Sequence, residues 1–217
     1  MKIRSIFTSV DGEINDFHQG RLSVFVRLAG CNLNCSYCDT KYAQSIKAGT
    51  EKSISEIVSN VCKFNLDKVT ITGGEPLLQA DEVKILIKEL STKGKKITIE
   101  TNGSINTDGY FPSRMVVDYK LPSSGMEHEM KVKAFSLLTV GDVIKFVISD
   151  YKDFQRALQI HDLFSSLGII FAYSPVLTKN GDLGQSARLL EWMLTEPRKS
   201  MVLNVQLHKI INLKEPE

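Results

Sequence analysis

The sequence lacks long apolar runs and a strong charge of either sign, and each shortage excludes a class of protein. No apolar stretch approaches the roughly 20 residues that cross a bilayer. The opening residues, MKIRSIFTSVDGE, lack the apolar core of a signal peptide. We therefore expect a cytoplasmic protein with no membrane segment. The 27 basic and 25 acidic side chains leave a formal charge of +2, which does not indicate a nucleic-acid partner.

Low-complexity segments, repeats of fixed period and linkers rich in proline, glycine or serine are also missing. We therefore expect a single domain over residues 1–217. A chain of 217 residues is long enough to bury a substantial core without a metal to hold it together. A bound metal would then serve chemistry rather than folding.

Short runs rich in valine and isoleucine alternate with helical periods, which predicts an α/β fold with a parallel sheet. The predicted strands cover residues 23 to 29, 68 to 72, 95 to 101, 115 to 118, 143 to 149, 169 to 173 and 201 to 206. The predicted helices cover residues 54 to 64, a segment through 83 to 90, 152 to 167 and 186 to 194. A complete eight-fold barrel needs about 250 residues. We therefore predict an open partial (β/α) barrel, abbreviated to about six parallel strands.

The ends of two helices carry recognisable signals. Ser53 and Glu56 have the spacing of a capping box at the start of the first helix. Gly94 follows the second helix, where a C-terminal stop belongs. No convincing helix is predicted between the strands at 95 to 101 and 115 to 118.

Three of the four cysteines, Cys31, Cys35 and Cys38, fall within eight positions directly after a predicted strand. Parallel α/β folds place reactive groups in loops at the carboxyl ends of their strands. In a reducing compartment, clustered cysteines are interpreted first as ligands of a metal or redox cofactor and only second as disulfides. Three thiolates hold an iron-sulfur cubane with one iron left without a protein ligand, free to bind a small molecule.

A structural zinc site is the plainer alternative. His18 could complete three cysteines, and Cys62 could be proposed as a further ligand. The usual paired C-x-x-C knuckles are missing, which disfavours zinc. Cys62 lies on a predicted amphipathic helix, where we expect a buried free thiol instead.

The spacing C-x-x-x-C-x-x-C, with Tyr37 before the last cysteine, resembles the signature of the radical S-adenosylmethionine enzymes. In that superfamily S-adenosylmethionine binds the open iron of a 4Fe-4S cluster and yields a 5'-deoxyadenosyl radical. GGEP at 73 to 76 resembles the motif that receives the methionyl amino group. ETNG at 100 to 103 places Glu100 at a strand end, where an acidic side chain suits ribose hydroxyls. Taken alone, both segments would be ordinary turns.

Longer segments are similar to the 7-carboxy-7-deazaguanine synthases. They are GRLSVFVRLAGCNLNCSYCDT, DYKLPSSG, DVIKFVIS and NVQLHKII. The resemblance implies a lyase of queuosine and deazapurine biosynthesis. It would contract the ring of 6-carboxy-5,6,7,8-tetrahydropterin with loss of ammonia to give 7-carboxy-7-deazaguanine. It also implies Mg2+, a homodimer and an electron donor of the flavodoxin or ferredoxin type.

The resemblance assigns a role to each matching site residue. Cys31, Cys35 and Cys38 would hold the cluster, and Thr40 would ligate Mg2+. Arg27 would pair with the pterin carboxylate through its planar fork, Glu13 would contact the guanidine-like edge, and His208 would face the substrate. The expected S-adenosylmethionine site consists of Tyr37, Gly74, Glu75, Glu100, Lys120 and Ser123.

Two departures from the family pattern matter. Asp11 stands where the family usually has glutamine, and the tail continues beyond His208, so the contacts of that glutamine and of a terminal carboxylate do not transfer. Two other functions remain open at this point. One is a glycyl-radical-enzyme activase, which shares the cysteine spacing but accepts a protein loop, and the other is a non-catalytic zinc-binding module.

Overall fold

The protein is described by a computed structural model that covers residues 1–177 and 184–213. The strands are β1 (Lys2–Val10), β2 (Leu22–Leu28), β3 (Thr50–Glu51), β4 (Lys68–Gly73), β5 (Lys96–Thr101), β6 (Arg114–Tyr119), β7 (Val143–Ile148), β8 (Ile170–Pro175) and β9 (Met201–Leu203). They form one sheet in the order β3-β1-β2-β4-β5-β6-β7-β8-β9. No further strand within the described ranges pairs with β3 or β9, so the barrel is open, as predicted.

Seven strands, β2 and β4 to β9, run parallel to one another, where the sequence predicted about six. Two further strands were missed. β1 pairs antiparallel with β2 and places Phe7 opposite Phe25, and the short β3 pairs with the start of β1. β1 carries arginine, serine and threonine among its apolar residues, which hides its strand character.

The helices are α1 (Ile54–Cys62), α2 (Ala80–Thr92), α3 (Val132–Ser136), α4 (Tyr151–Phe164), α5 (Gly184–Thr195) and α6 (Leu207–Ile210). The predicted capping box at the start of α1 is confirmed, because Ser53 and Glu56 exchange both hydrogen bonds. Gly94 has a positive φ of 72° just after α2, as a C-terminal stop requires. No α-helix separates β5 from β6, also as predicted.

The two faces of the sheet differ in polarity because successive side chains of a strand point to opposite faces. The face against the helices is apolar and includes Val69 and Ile71 of β4. The inner face carries buried polar side chains, among them Lys68 and Thr70 of the same strand. A small apolar cluster of Val116, Val143 and Ala172 also lies there. Parallel sheets usually bury apolar side chains on both faces, so a polar inner face marks a functional interior.

Two sequence-based expectations are wrong in detail. The last strand ends at Leu203 instead of residue 206, because Asn204 turns its side chain to Ser174 and Glu13. Cys62, expected to be buried, is exposed at the end of α1. None of the helices in the two described ranges combines the length and apolar character needed to cross a bilayer.

Candidate active site

A cavity of about 610 Å³ opens at the carboxyl ends of the parallel strands. Most of the residues predicted for the site line it: Glu13, Arg27, Cys31, Cys35, Tyr37, Cys38, Thr40, Gly74, Glu100, Lys120 and His208. Glu75 and Ser123 do not line it. The cavity is large enough for small-molecule ligands.

The cysteine loop that follows β2 is fixed by hydrogen bonds at both ends. Cys31 donates its backbone N–H to the carbonyl of Gln44 at 2.9 Å, and Cys38 donates to the carbonyl of Cys35 at 3.3 Å. Ser36 donates its backbone N–H to Ser124 at 3.1 Å, which ties the loop to the segment after β6. Satisfied backbone groups hold the three thiols on one wall of the cavity.

The donor set fits an iron-sulfur cluster. All three thiols are free, and burial raises the pKa of Cys31 and Cys35, so ligation would release their protons. Within residues 1–177 and 184–213, no group of three or more His, Cys, Asp or Glu side chains could hold a single metal ion. His18, the proposed zinc ligand, is exposed and does not line the cavity. Ligands of a cubane bind different irons and need not converge on one point.

The GGEP segment joins β4 to the cysteine loop through its backbone. Glu75 donates its N–H to the carbonyl of Gly30 at 2.7 Å, so the two chain segments are in close contact. The Glu75 carboxylate accepts hydrogen bonds from Leu77 N–H at 2.8 Å, from Thr101 at 2.7 Å and from Asn102 N–H at 2.7 Å. Burial raises its pKa. The Glu75 side chain therefore stabilises the loops, and the two preceding glycines, Gly73 and Gly74, are the part of this segment that lines the cavity.

The segment after β6 places a cation beside the cysteines. Lys120 donates to Asp118 at 2.8 Å, and although burial lowers the pKa of this lysine, the Asp118 charge raises it overall. Ser123 instead donates its N–H to Asp153 at 3.0 Å, and its hydroxyl also donates to that carboxylate. Both oxygens of Asp153 are thus used to fix the loop. Lys120 is the residue of this segment that lines the cavity.

Glu13 is held from three sides. Its Oε1 accepts hydrogen bonds from Lys145 at 3.2 Å and Gln206 at 2.7 Å, and its Oε2 accepts one from Asn204 at 2.5 Å. Burial raises its pKa, but the Lys145 ammonium and the two amides bring it below the ordinary value. A carboxylate has about four acceptor positions. The described contacts therefore leave Glu13 one position for a ligand.

Arg27 lies at the end of β2 between two aromatic rings. Its guanidinium carbon lies 5.6 Å from the centre of the Phe7 ring and 5.9 Å from that of Tyr42. The residue is only 6% exposed, yet it lines the cavity. Contact with both rings restricts the orientation of the planar fork.

The short helix α6 brings the C-terminal segment onto the cysteine loop. Lys209 of this helix pairs with Asp39 at 2.6 Å. A side chain at Gly12 would place its Cβ 2.5 Å from Nδ1 of His208, so this glycine allows the imidazole to approach closely. Thr40 makes no capping hydrogen bond to the turn that follows it, and its hydroxyl lies 3.7 Å from the Cys38 sulfur.

Glu100 and Tyr37 complete the cavity wall near the cysteines. Glu100 accepts a hydrogen bond from Thr72 at 2.7 Å, and burial raises its pKa, with the charge of Glu13 adding to the effect. The Tyr37 hydroxyl is buried and has no hydrogen-bond partner among the described residues. Burial also raises its pKa.

Sequence reasoning missed several residues of the site. Lys145, Asp118, Asn204 and Gln206 lie in segments that resemble the family but were given no role, because Asp118 is on β6, Lys145 is on β7 and the other two follow β9, and only the sheet brings them together. One signal was available. Lys145 interrupts the apolar run VIKFVI of β7, and a lysine inside a parallel strand needs a buried partner.

Comparisons with known proteins agree with this geometry. Residues 25–180 match the Radical SAM superfamily. The chain is 39% identical to the 7-carboxy-7-deazaguanine synthase of Clostridium acetobutylicum, over 97% of this chain and 95% of the relative. It is 37% identical to that of Methanospirillum hungatei, over 98% and 86% of the two chains.

Two solved structures share the fold. QueE from Escherichia coli superposes with a TM-score of 0.69 at 20% identity, over 94% of this chain and 93% of that one. SuiB from Streptococcus suis, bound to S-adenosylmethionine, has a TM-score of 0.62 at 15% identity, over 86% and 51% of the chains. The activase and the zinc module are therefore not favoured. The chain belongs to the radical S-adenosylmethionine superfamily and, within it, to the 7-carboxy-7-deazaguanine synthase family of lyases.

Proposed function

We propose that this chain converts 6-carboxy-5,6,7,8-tetrahydropterin to 7-carboxy-7-deazaguanine with loss of ammonia, in queuosine or deazapurine biosynthesis. The observation that carries the proposal is one cavity that combines three free thiols with a buried arginine and a restrained glutamate, in a chain of this family. The thiols suit a redox cofactor, and the two charged groups suit opposite ends of a carboxylated pterin.

Membership of the superfamily brings a 4Fe-4S cluster and S-adenosylmethionine as cofactors. When bound, the cluster would supply one electron and S-adenosylmethionine would supply the 5'-deoxyadenosyl group for radical removal of the C6 hydrogen of the substrate. Cys31, Cys35 and Cys38 would hold the cluster. The backbone at Gly74 and the Lys120 and Glu100 side chains line the same cavity and would orient S-adenosylmethionine. The side chains of Glu75 and Ser123 would act indirectly, by fixing the loops.

Arg27 would bind the substrate carboxylate. A guanidinium forms two parallel hydrogen bonds to a carboxylate, and its contacts with Phe7 and Tyr42 reduce the orientations that it can adopt. Its burial strengthens the interaction, because a charge pair is screened less away from water. This contact would fix the substrate end next to the reacting carbon.

Glu13 would bind the guanidine-like edge of the pterin with its remaining acceptor position. The depressed pKa keeps Glu13 ionised at neutral pH, as an acceptor for N–H donors must be. Lys145, which contacts Glu13, is itself held as a cation by Glu13 and Asp118. His208, packed against Gly12, would close the substrate site from the C-terminal side.

Mg2+ fits a site at Thr40 with few protein ligands. The Thr40 hydroxyl lines the cavity without capping the following turn, so it is available to a hard cation. Mg2+ usually keeps several waters and takes further oxygens from the substrate. Thr40 would then place the ion beside the substrate carboxylate. A homodimer and an electron donor of the flavodoxin or ferredoxin type complete the proposal.

The reaction itself is the test. The chain is reconstituted anaerobically with iron and sulfide and incubated with reductant, S-adenosylmethionine, Mg2+ and the carboxytetrahydropterin. Mass analysis should show 7-carboxy-7-deazaguanine. Cys35→Ala should lose both the cluster absorption near 400 nm and the product, whereas Cys62→Ala, at an exposed cysteine away from the cavity, should keep both. Uncoupled cleavage of S-adenosylmethionine without any deazaguanine product would refute the proposed substrate.

A further inference from the structure

A buried ion pair lies on the inner face of the sheet, below the cavity. It joins Asp11, at the end of β1, to Lys68, the first residue of β4. The two side chains are 1% and 0% exposed. Neither residue lines the cavity, although the next two residues, Gly12 and Glu13, do. The pair includes the position at which the chain departs from the glutamine of the family pattern.

The two oxygens of the Asp11 carboxylate contact different parts of the fold. One accepts the backbone N–H of Glu13 at 3.2 Å. The other accepts hydrogen bonds from Lys68 and from the Thr70 hydroxyl, the latter at 3.0 Å. Thr70 is in turn 2.8 Å from the Ser23 hydroxyl of β2. Asp11 therefore connects the Glu13 backbone to β4 and, through Thr70, to β2.

The backbone around Asp11 is fixed as well. Asp11 donates its N–H to Arg21 at 2.8 Å and accepts the N–H of Gly20 at 2.7 Å. Glu13 itself has its carboxylate held by the C-terminal segment and Lys145, as described above. Asp11 thus holds the Glu13 N–H, the Asn15 side chain donates to the Glu13 carbonyl at 2.8 Å, and the remaining contacts hold the Glu13 side chain.

A buried ion pair contributes little net stability to a fold. Desolvation of the two charges offsets most of their attraction, and apolar side chains of similar volume would stabilise the fold as well. Such a pair is better explained by the geometry that it imposes. Here the geometry imposed is that of Glu13, whose carboxylate has one acceptor position left for a ligand.

We propose that Asp11 positions Glu13 for substrate binding through its hydrogen bond to the Glu13 N–H, with Asp11 as the positioning residue and Lys68 as its buried counter-charge. The inference rests on the proposed role of Glu13 as a substrate ligand. Asp11 does not touch the substrate.

Two matched double variants test the inference. Asp11→Asn/Lys68→Met removes both charges but keeps a side-chain oxygen that can accept the Glu13 N–H. Asp11→Ala/Lys68→Met removes the charges and the acceptor together. Neither leaves an unpaired buried charge, so both should fold. We expect KM for the carboxytetrahydropterin to stay within about twofold of the parent value in the first variant. In the second it should rise about tenfold with a smaller change in kcat.

Hydrogen exchange of the peptide containing Glu13, followed by mass spectrometry, gives a readout that does not depend on turnover. Exchange there should be faster in the alanine variant and close to parental in the asparagine variant, because only the latter keeps the hydrogen bond. If both variants exchange and turn over alike, the Asp11–Glu13 bond does not position Glu13. A uniform loss of thermal stability and of S-adenosylmethionine cleavage, with KM unchanged, would also overturn the inference.

The exchange measurement separates this inference from the proposed function. If the parent enzyme does not convert the carboxytetrahydropterin, the proposed function fails, while the exchange difference still shows whether Asp11 orders the Glu13 backbone. If the parent enzyme is active and the exchange rates of the two variants are equal, only the positioning inference fails.

Discussion

Substitution of Gly74 by alanine tests the contact between GGEP and the cysteine loop. An added Cβ would overlap the carbonyl oxygen of Gly30, lie 2.5 Å from its carbonyl carbon and lie 3.0 Å from the Ala43 oxygen. All three are backbone atoms, so no side chain can rotate away. To relieve the clash, the chain must lengthen the hydrogen bond between Glu75 N–H and the Gly30 oxygen, now 2.7 Å.

The magnitude follows from these two effects. Overpacking costs about 1 to 3 kcal/mol, and a buried hydrogen bond left unmade costs about 1 to 3 kcal/mol. Gly74→Ala should therefore lower the free energy of unfolding by about 2 to 6 kcal/mol. For a chain of this size that corresponds to a fall in Tm of about 4 to 24 °C. Displacement of Gly30 should also lower the iron bound after reconstitution, because Cys31 is the next residue.

Gly94→Ala is the matched control. Gly94 has a positive φ, and a Cβ there would meet nothing within 4 Å, so the substitution tests backbone strain without a clash. It should cost about 1 kcal/mol and leave iron binding unchanged. Urea unfolding of the metal-free variants gives the free energies, and iron and sulfide analysis gives the loading. Equal destabilisation by the two substitutions, with normal iron in both, would refute the close contact at Gly74.

Three further predictions concern other parts of the site. Thr40→Ala should keep its iron but lose much of the Mg2+ dependence of product formation, and a parental response to Mg2+ would exclude Thr40 as the ligand. The pKa of Glu13 is lower in the folded protein than the 4.5 of the unfolded chain. The ionised carboxylate therefore contributes fully to stability above pH 4.5, and this contribution is lost as the pH falls through the pKa of the folded state. Glu13→Gln should therefore flatten the dependence of the unfolding free energy on pH between about pH 5 and pH 3, measured by urea titration. Lys209→Met should change global stability by about 1 kcal/mol or less, because its pair with Asp39 is partly exposed. It should nevertheless speed hydrogen exchange in α6.

The sequence alone determined the local features of this protein. Apolar periodicity located the parallel strands β2 and β4 to β9. On the side that faces the helices, β2, β4, β5 and β7 repeat valine or isoleucine, and β6, β8 and β9 place other large apolar or aromatic residues. The spacing of the three cysteines identified them as one cluster. The capping residue Ser53 and the glycine at position 94 marked a helix start and a helix end. These features depend on residues close together in the chain, and so they can be read without knowledge of the fold.

Only the tertiary structure decided which distant residues share the cavity. It also decided which of the expected binding residues already bond to other parts of the protein. Glu13 meets Lys145 and Asn204 across more than a hundred residues of chain, because it follows β1 and reaches across the inner face of the sheet to β7 and to the residue after β9. Glu75 and Ser123 match the family motifs, yet the Glu75 carboxylate accepts the N–H of Asn102 in the loop after β5, and the Ser123 hydroxyl donates to Asp153 of α4. Whether a polar side chain faces a ligand or its own scaffold depends on packing between elements, which no local pattern records.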